Sequence, residues 1–174
     1  MKKTYKYVIG IALVLVFTLL TLYSNGSIGV SKSKIESDAR KTQKINDNWQ
    51  VTKSISHLMG ALLFYDTESN DLTYSIYLNR IGFSFRYFFR SGGSRGEIKE
   101  GICEFRYDGY GCALLSKNKD KAKRIEIDNG QEIKTVDIDS DKPFTLVLPE
   151  NCGIVTVYDI NNNNIPITAV LVND

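Results

Sequence analysis

The basic residues near the middle of the chain form its most suggestive chemical pattern. Arg86, Phe88 and Arg90 alternate in FSFRYFFR, Arg80 lies just before that run, and Arg95 lies in the glycine-rich SGGSRG that follows it. Alternate residues of a strand share a face, so two guanidinium groups and a ring would stand together. Guanidinium groups bind phosphate in bidentate fashion, and a glycine-rich turn can present N–H groups to an anion. Arg86, Phe88, Arg90 and Arg95 are therefore the candidate binding site for an anionic partner, although the pattern alone favours an ordinary solvated strand face.

A second candidate chemistry is nucleophilic catalysis by a cysteine. Membrane-anchored transpeptidases of the sortase type also hold a β domain outside the membrane, and they use a His–Cys–Arg set. His57 is the only histidine here, and Cys152 lies in LPENCGIV, which departs from the Thr-Leu-x-Thr-Cys strand of that family and has no arginine after it. We predict a protein that is not an enzyme and has no catalytic residues. The sortase-like use of His57 and Cys152 is the alternative.

The three cysteines have a structural interpretation as small buried hydrophobic residues. A two-residue Asp108-Gly109 turn would pair Phe105 with Cys112 and make Cys103 and Cys112 diagonal neighbours, with Cα atoms about 7–8 Å apart. A disulfide prefers about 5.5–6 Å, so that pair would need a shifted register. A disulfide between two of the three cysteines stays open as an alternative.

Metal ligands are the third type of chemistry to consider. One histidine and dispersed cysteines argue against zinc, which wants four closely spaced ligands. Asp159, Asn161 and Asn163 repeat like the first ligands of an EF-hand loop, but Asn164 stands at the glycine position and Val170 at the final glutamate position. Asparagines also favour tight turns. We predict a plain hairpin turn, no metal site and no cofactor.

The elements that would position these residues read as β-strands. From Leu58 onward, short apolar runs alternate with turn signals, among them Asp108-Gly109 and Asn129-Gly130. This pattern predicts an all-β antiparallel sandwich, immunoglobulin-like or similar, of roughly 8–10 short strands, with no helix after residue 57. The ending VTVYDINNNNIPI resembles the last hairpin of immunoglobulin-like modules in bacterial envelope proteins. That likeness is architectural and implies no functional residues.

Alternation also predicts which faces are buried. In FSFRYFFR one face would carry only aromatic rings, from Phe83, Phe85, Tyr87 and Phe89. In the Asp108-Gly109 hairpin, six apolar residues would share one buried face: Cys103, Phe105, Tyr107, Tyr110, Cys112 and Leu114.

The start of the chain predicts a membrane segment. Residues 1–6 form a basic cytoplasmic tail, and 7–24 form a transmembrane helix whose uncharged core, YVIGIALVLVFTLLTLY, would span roughly 26 Å. Residues 25–46 read as a polar spacer, either extended or a solvated helix, and 47–174 as one extracytoplasmic β domain. A signal peptide cleaved before Ser27 would instead release a secreted β protein.

Composition sets the function class. The 174 residues carry a formal net charge of +2, but Lys2, Lys3 and Lys6 precede the apolar run. The part of the chain beyond that run therefore has 19 of the 22 basic residues and all 20 acidic ones. This near-neutral domain gives no electrostatic reason to expect nucleic acid. We predict a single-pass cell-membrane protein whose domain is a non-enzymatic binding module, with an envelope protein or an anionic envelope component as its partner.

Overall fold

The computed structural model describes residues 2–24, 29–80 and 86–170, and in α1 it describes the side chains of residues 5–21. The helices are α1 (Lys2–Ser24), α2 (Ile35–Gln43), which follows a 3₁₀ turn at Lys32–Lys34, and α3 (Gly96–Glu100). The strands are β1 (Gln50–Ile55), β2 (Met59–Tyr65), β3 (Leu72–Asn79), β4 (Tyr87–Gly93), β5 (Ile102–Tyr107), β6 (Gly111–Ser116), β7 (Ala122–Asp128), β8 (Ile133–Asp137), β9 (Phe144–Leu148), β10 (Ile154–Asp159), β11 (Asn164–Ile165) and β12 (Ile167–Val170).

Three four-stranded sheets make up the β part of the chain. Sheet 1 has the order β1-β2-β3-β4, sheet 2 the order β12-β5-β6-β9 and sheet 3 the order β11-β10-β7-β8. The mostly β, sandwich-like architecture confirms the coarse fold prediction. Three details differ from it: the described residues form twelve strands rather than roughly 8–10, β12 pairs with β5 in parallel, and the five-residue helix α3 lies well after residue 57. Neither a parallel closing strand nor a single helical turn leaves a periodic signal in the sequence.

Sheet 2 lies between the other two sheets, and its strand β6 is buried on both faces. One face packs against sheet 1, where Leu63 and Tyr74 meet Phe105 and Leu115. The other face packs against sheet 3 and includes Leu114. This double burial explains why every residue of GCALLS in β6 is buried, because a strand with two covered faces reads as a continuous apolar run.

The outer face of sheet 1 is covered by α2. Ile35 and Ala39, four residues apart on one side of the helix, are fully buried against Leu62 and Phe64. The Asp38 carboxylate accepts a hydrogen bond of 2.7 Å from the Tyr77 hydroxyl. Part of the predicted spacer, 25–46, is thus helical and contributes side chains to a core, and the packed chain begins before residue 47.

The hairpin between β5 and β6 corrects the predicted register. Tyr107 pairs with Gly111 and Phe105 with Ala113, so the turn has three residues instead of two. This shift by one residue sends Cys112 and Leu114 to the face opposite Cys103 and Phe105. The prediction that all six hairpin residues share one face was therefore wrong. Because β6 is apolar on both faces, its sequence could not reveal the error.

Over the residues whose side chains are described, α1 exposes its large apolar side chains, with Val14 and Phe17 at 65% and 69% exposure. Measured on the described residues, no helix combines the length and apolar content needed to cross a membrane.

Candidate functional site

A β-bulge at Arg90 shapes strand β4. Phe89 pairs with Tyr77, but the next pair along the ladder joins Ser91 to Ile76, so Arg90 is an extra residue on this edge strand. A bulge bends its strand and redirects the side chain that it carries, and bulges are common next to functional sites. Arg90 consequently leaves the alternation that the sequence predicts for it.

The bulge lies at a pocket of about 310 Å³, here called the arginine pocket. The end of β3, the first half of β4 and the β5–β6 turn line it. Its polar and aromatic lining residues are Arg80, Phe88, Arg90, Tyr107, Asp108 and Tyr110, and Leu78 and Phe89 complete the wall. The pocket thus opens where sheets 1 and 2 meet at one end of the sandwich.

Its electrostatics come from two arginines and one carboxylate. The Arg80 guanidinium carbon lies 4.1 Å from the centroid of the Phe88 ring, which is a cation–π contact that holds the exposed cation at the pocket. The Tyr107 hydroxyl is within 2.7 Å of Ser91 Oγ, so its ring has a fixed orientation. Asp108 contributes the opposing charge. Such a site can hold an anionic group between guanidinium groups and rings.

The structure places Arg86 just before β4, where it contacts the N-terminal segment. Its Nη1 donates a hydrogen bond of 3.0 Å to the Gly29 carbonyl. Val30 and Tyr87 exchange two backbone hydrogen bonds of 2.7 and 2.8 Å, which add a short partner to the edge of sheet 1. A Cβ on Gly29 would lie 2.9 Å from the Phe88 ring, so only glycine fits there. Arg86 therefore holds the incoming chain on β4.

Arg95 lies beyond the opposite end of β4, at the start of α3. A hydrogen bond to the Tyr74 hydroxyl raises the pKa of its guanidinium. The glycines of SGGSRG belong largely to the strand, since Gly92 pairs with Ser75 and Gly93 with Tyr74. Of the four predicted residues, Phe88 and Arg90 therefore meet at one pocket, and Arg86 and Arg95 lie elsewhere.

Phe83 and Phe85 of the predicted aromatic face lie outside the described residues. Tyr87 is buried, and Phe89 is 41% exposed.

Sequence reasoning missed the contribution of the β5–β6 turn to the pocket. Asp108 and Tyr110 are about 20 residues away from Arg90 along the chain, and only the packing of sheet 2 on sheet 1 brings them together. In the sequence, Asp108-Gly109 signals only a turn. Tyr110, an aromatic residue inside a turn, is the one feature there that could have suggested a surface role.

A wider groove of about 690 Å³ lies on the other side of Tyr87 and includes His57. Its walls are the turn between β1 and β2 and the 3₁₀ turn with Lys32. The Tyr87 hydroxyl donates a 2.7 Å hydrogen bond to the Ser56 carbonyl, and burial raises the pKa of that hydroxyl. Three serines, Ser31, Ser33 and Ser56, also line the groove, but within the described residues no hydrogen bond joins any of them to the His57 ring.

The cysteines occupy three different environments. Cys103 and Cys112 are buried on opposite faces of sheet 2, and this burial raises their thiol pKa values to about 11 and about 12. Cys152 is half-buried and packs against the core between sheets 2 and 3. His57 lies at the turn of sheet 1, so it and Cys152 belong to different layers. The burial of Cys103 and Cys112 matches the interpretation of those two as small hydrophobic residues.

The asparagine-rich turn after β10 uses its acidic residue internally. Asp159 Oδ1 accepts hydrogen bonds from the backbone N–H groups of Asn161 and Asn163 at 2.7 and 2.8 Å, and Oδ2 accepts one from the Asn163 side chain. The side-chain hydrogen bond from Asn163 is the main reason why the pKa of Asp159 is lowered. The carboxylate thus shapes the hairpin turn from β10 to β11.

A second basic cavity, of about 260 Å³, lies where α3 meets the end of β6. Its cations are Lys99, Lys117 and Lys119, but Asp71 lies 3.5 Å from Lys99 and Glu100 pairs with Lys119. Burial and the neighbouring Lys99 lower the pKa of Lys117. This cavity thus pairs two of its lysines with carboxylates and has no aromatic ring among its described lining residues, whereas Phe88 and Tyr110 line the arginine pocket.

Comparison with protein-family models, curated proteins and solved structures gives no match to this chain.

Proposed function

We propose that the protein is a membrane-tethered, extracytoplasmic β domain that binds an anionic component of the cell envelope without catalysing a reaction. The N-terminal helix is its membrane contact, and the arginine pocket is its binding site. The observation that carries the binding proposal is the meeting of Arg80, Phe88 and Arg90 at a bulged edge strand.

The composition of α1 supports the tether. Between Tyr7 and Tyr23 the helix has no charged residue, and this run extends about 26 Å, a few ångströms less than a hydrocarbon core of about 30 Å, a mismatch that local thinning of the bilayer accommodates. Its apolar side chains are exposed, so a lipid environment would remove them from water. The basic start MKKTYK favours a cytoplasmic N-terminus. We expect a full-length, membrane-bound product that external protease shaves; a soluble product beginning near Ser27 would contradict the tether.

The chemistry of the arginine pocket supports an anionic ligand. Guanidinium groups form paired hydrogen bonds with phosphate and carboxylate oxygens, and their charge strengthens those bonds. The cation–π contact with Phe88 places Arg80 at the pocket before a ligand binds, so binding loses less side-chain entropy than at a cation without such a contact. Tyr110 and Phe88 offer apolar surface beside the charge.

Glycerol 3-phosphate is a suitable test ligand, titrated into full-length protein in neutral detergent. We expect binding that weakens with salt and that falls at least fivefold in the Arg80→Gln/Arg90→Gln double variant, because both charges are removed from the pocket. The matched control is Lys123→Gln/Lys134→Gln, which removes the same charge from exposed positions on β7 and β8. An equal loss in both double variants, or no loss in either, would overturn the pocket as the site.

A further inference from the structure

We infer that the anion held by the arginine pocket is the phosphate of an anionic phospholipid headgroup in the outer leaflet of the protein's own membrane. This inference rests on the proposed function, since it needs both the tether and the pocket. It adds a second membrane contact besides the N-terminal helix, and two contacts would fix the orientation of the domain relative to the bilayer.

The length of the tether carries the first step. Helix α1 ends at Ser24, and Gly29 is the next described residue. Five residue steps of chain can extend at most about 18 Å. Because Tyr23 ends the uncharged run, the end of α1 lies near the outer interface in a membrane-inserted protein. Gly29 therefore stays within about 18 Å of the headgroups, whatever path the linker takes.

The second step connects Gly29 to the pocket. Val30 is hydrogen-bonded to Tyr87, and the Arg86 guanidinium holds the Gly29 carbonyl. A Cβ on Gly29 would lie 2.9 Å from the ring of Phe88, so the chain at Gly29 runs beside that ring, which also lines the arginine pocket. The attachment point of the tether and the pocket thus share one residue of β4. A domain held this way keeps the pocket close to the membrane plane.

The chemistry of the site fits that position. Aromatic and arginine side chains are favoured at membrane interfaces, where rings lie at headgroup depth and guanidinium groups meet phosphate. Beyond the apolar run the chain is near-neutral, with 19 basic residues against 20 acidic ones, so its total charge would not draw the domain to an anionic membrane surface. A contact between the domain and phospholipid headgroups therefore depends on local recognition by Arg80 and Arg90 at the pocket.

The test is photocrosslinking of the full chain in lipid nanodiscs. A photoreactive p-benzoylphenylalanine replaces Tyr110 in the pocket, and a separate control protein carries it in place of Tyr158 on sheet 3. Discs contain phosphatidylcholine alone or with phosphatidylglycerol, and mass spectrometry counts the lipid adducts. We expect phosphatidylglycerol adducts at position 110 that exceed those at position 158. Each arginine near an anionic surface contributes about fivefold in binding, so Arg80→Gln/Arg90→Gln should reduce the adducts at least fivefold.

The outcomes separate this inference from the proposed function. Glycerol 3-phosphate binding at the pocket together with no excess of lipid adducts at position 110 would leave the binding module standing and overturn the lipid assignment. A total number of lipid adducts at position 110 that is equal in discs with and without phosphatidylglycerol would also overturn the lipid assignment, because recognition would then not depend on headgroup charge. Failure of α1 to insert into the discs would overturn the tether itself. Unchanged adducts in Lys123→Gln/Lys134→Gln would support recognition by the pocket rather than by total charge.

Discussion

Strands β4 and β6 are similar in length but have opposite environments. All six residues of β6 are buried, and the strand is paired on both sides, by β5 and by β9. The seven residues of β4 lie at the edge of sheet 1, where, among the described residues, Val30 supplies a short bridge on the open side. β4 contains a bulge and exposes Phe89 and Arg90, whereas β6 keeps a regular ladder.

The difference shows where this fold can place a binding site. A substitution in β6 disturbs two cores at once, because its alternate side chains enter the layers on both sides of sheet 2. An extra residue in β4 disturbs only one ladder and leaves both cores intact. The bulge, the arginines and the pocket are therefore at the position where irregular structure costs least stability.

The largest expected contrast between the two strands is in thiol reactivity. Cys112 of β6 is 1% exposed, and its pKa of about 12 leaves roughly one thiolate in 10⁴ at pH 8. A cysteine introduced on β4 by Arg90→Cys, in a Cys152→Ser background, should react with iodoacetamide at least a thousandfold faster than Cys112, because the Cys112 thiol becomes accessible only when the protein unfolds. Peptide mass spectrometry over a time course measures both rates. Comparable rates would mean that β6 opens locally and that the contrast is wrong.

The next contrast is in stability. Leu114→Ala in β6 removes a side chain with 1% exposure from the core between sheets 2 and 3, so it should lower the free energy of unfolding by about 3 kcal/mol. Phe89→Ala in β4 removes a ring that is 41% exposed and meets Tyr77 edge-on at 5.6 Å, and it should cost about 1 kcal/mol. Urea unfolding in detergent, followed by the fluorescence of Trp49, measures both values. Equal losses would contradict the comparison.

Sequence patterns predicted these two strands unequally well. The apolar run of β6 and the turn at Asp108-Gly109 were both visible, but an apolar strand that is buried on both faces carries no alternation to fix its register. The alternation of β4 put Tyr87 and Phe89 on one side, but the prediction that this face is buried was correct for Tyr87 and wrong for Phe89, which is 41% exposed on the edge strand. The alternation failed at Arg90 because a bulge has no residue signature here.

The candidate site was predictable only within its own strand. Phe88 and Arg90 follow from local spacing, whereas Asp108 and Tyr110 reach the pocket through contacts between sheets that depend on the whole fold. The spacing of Ile35 and Ala39 did carry a helical signal, but the polar residues around them concealed the contact with sheet 1.

Two glycines sharpen the comparison at the level of the backbone. Gly111, at the start of β6, has a φ of 107°, and a Cβ there would lie 2.2 Å from the Leu148 carbonyl oxygen. Gly93, at the end of β4, has a φ of 136° with no atom within 4 Å of such a Cβ. Both Ala variants carry strain from the positive φ, about 1 kcal/mol, but Gly111→Ala must also displace β9 and should cost about 2–3 kcal/mol. Thermal unfolding of the two variants compares them directly, and a Gly93→Ala variant as unstable as Gly111→Ala would remove the distinction.

The smallest expected effect concerns the bridge that closes the edge of β4. Val30→Pro removes the N–H group that donates a 2.7 Å hydrogen bond to the Tyr87 carbonyl, so it should cost about 1 kcal/mol. Val30→Ala keeps that donor and loses only part of a half-buried side chain, which makes it the matched control. Hydrogen exchange followed by mass spectrometry should show faster exchange at Tyr87 in Val30→Pro alone, with the β6 amides unchanged in both variants. Faster exchange in β6 would mean that the edge of sheet 1 and the middle of sheet 2 open as one unit. An edge strand could not then tolerate local change independently of the core, and the reason offered for a binding site on β4 would fail.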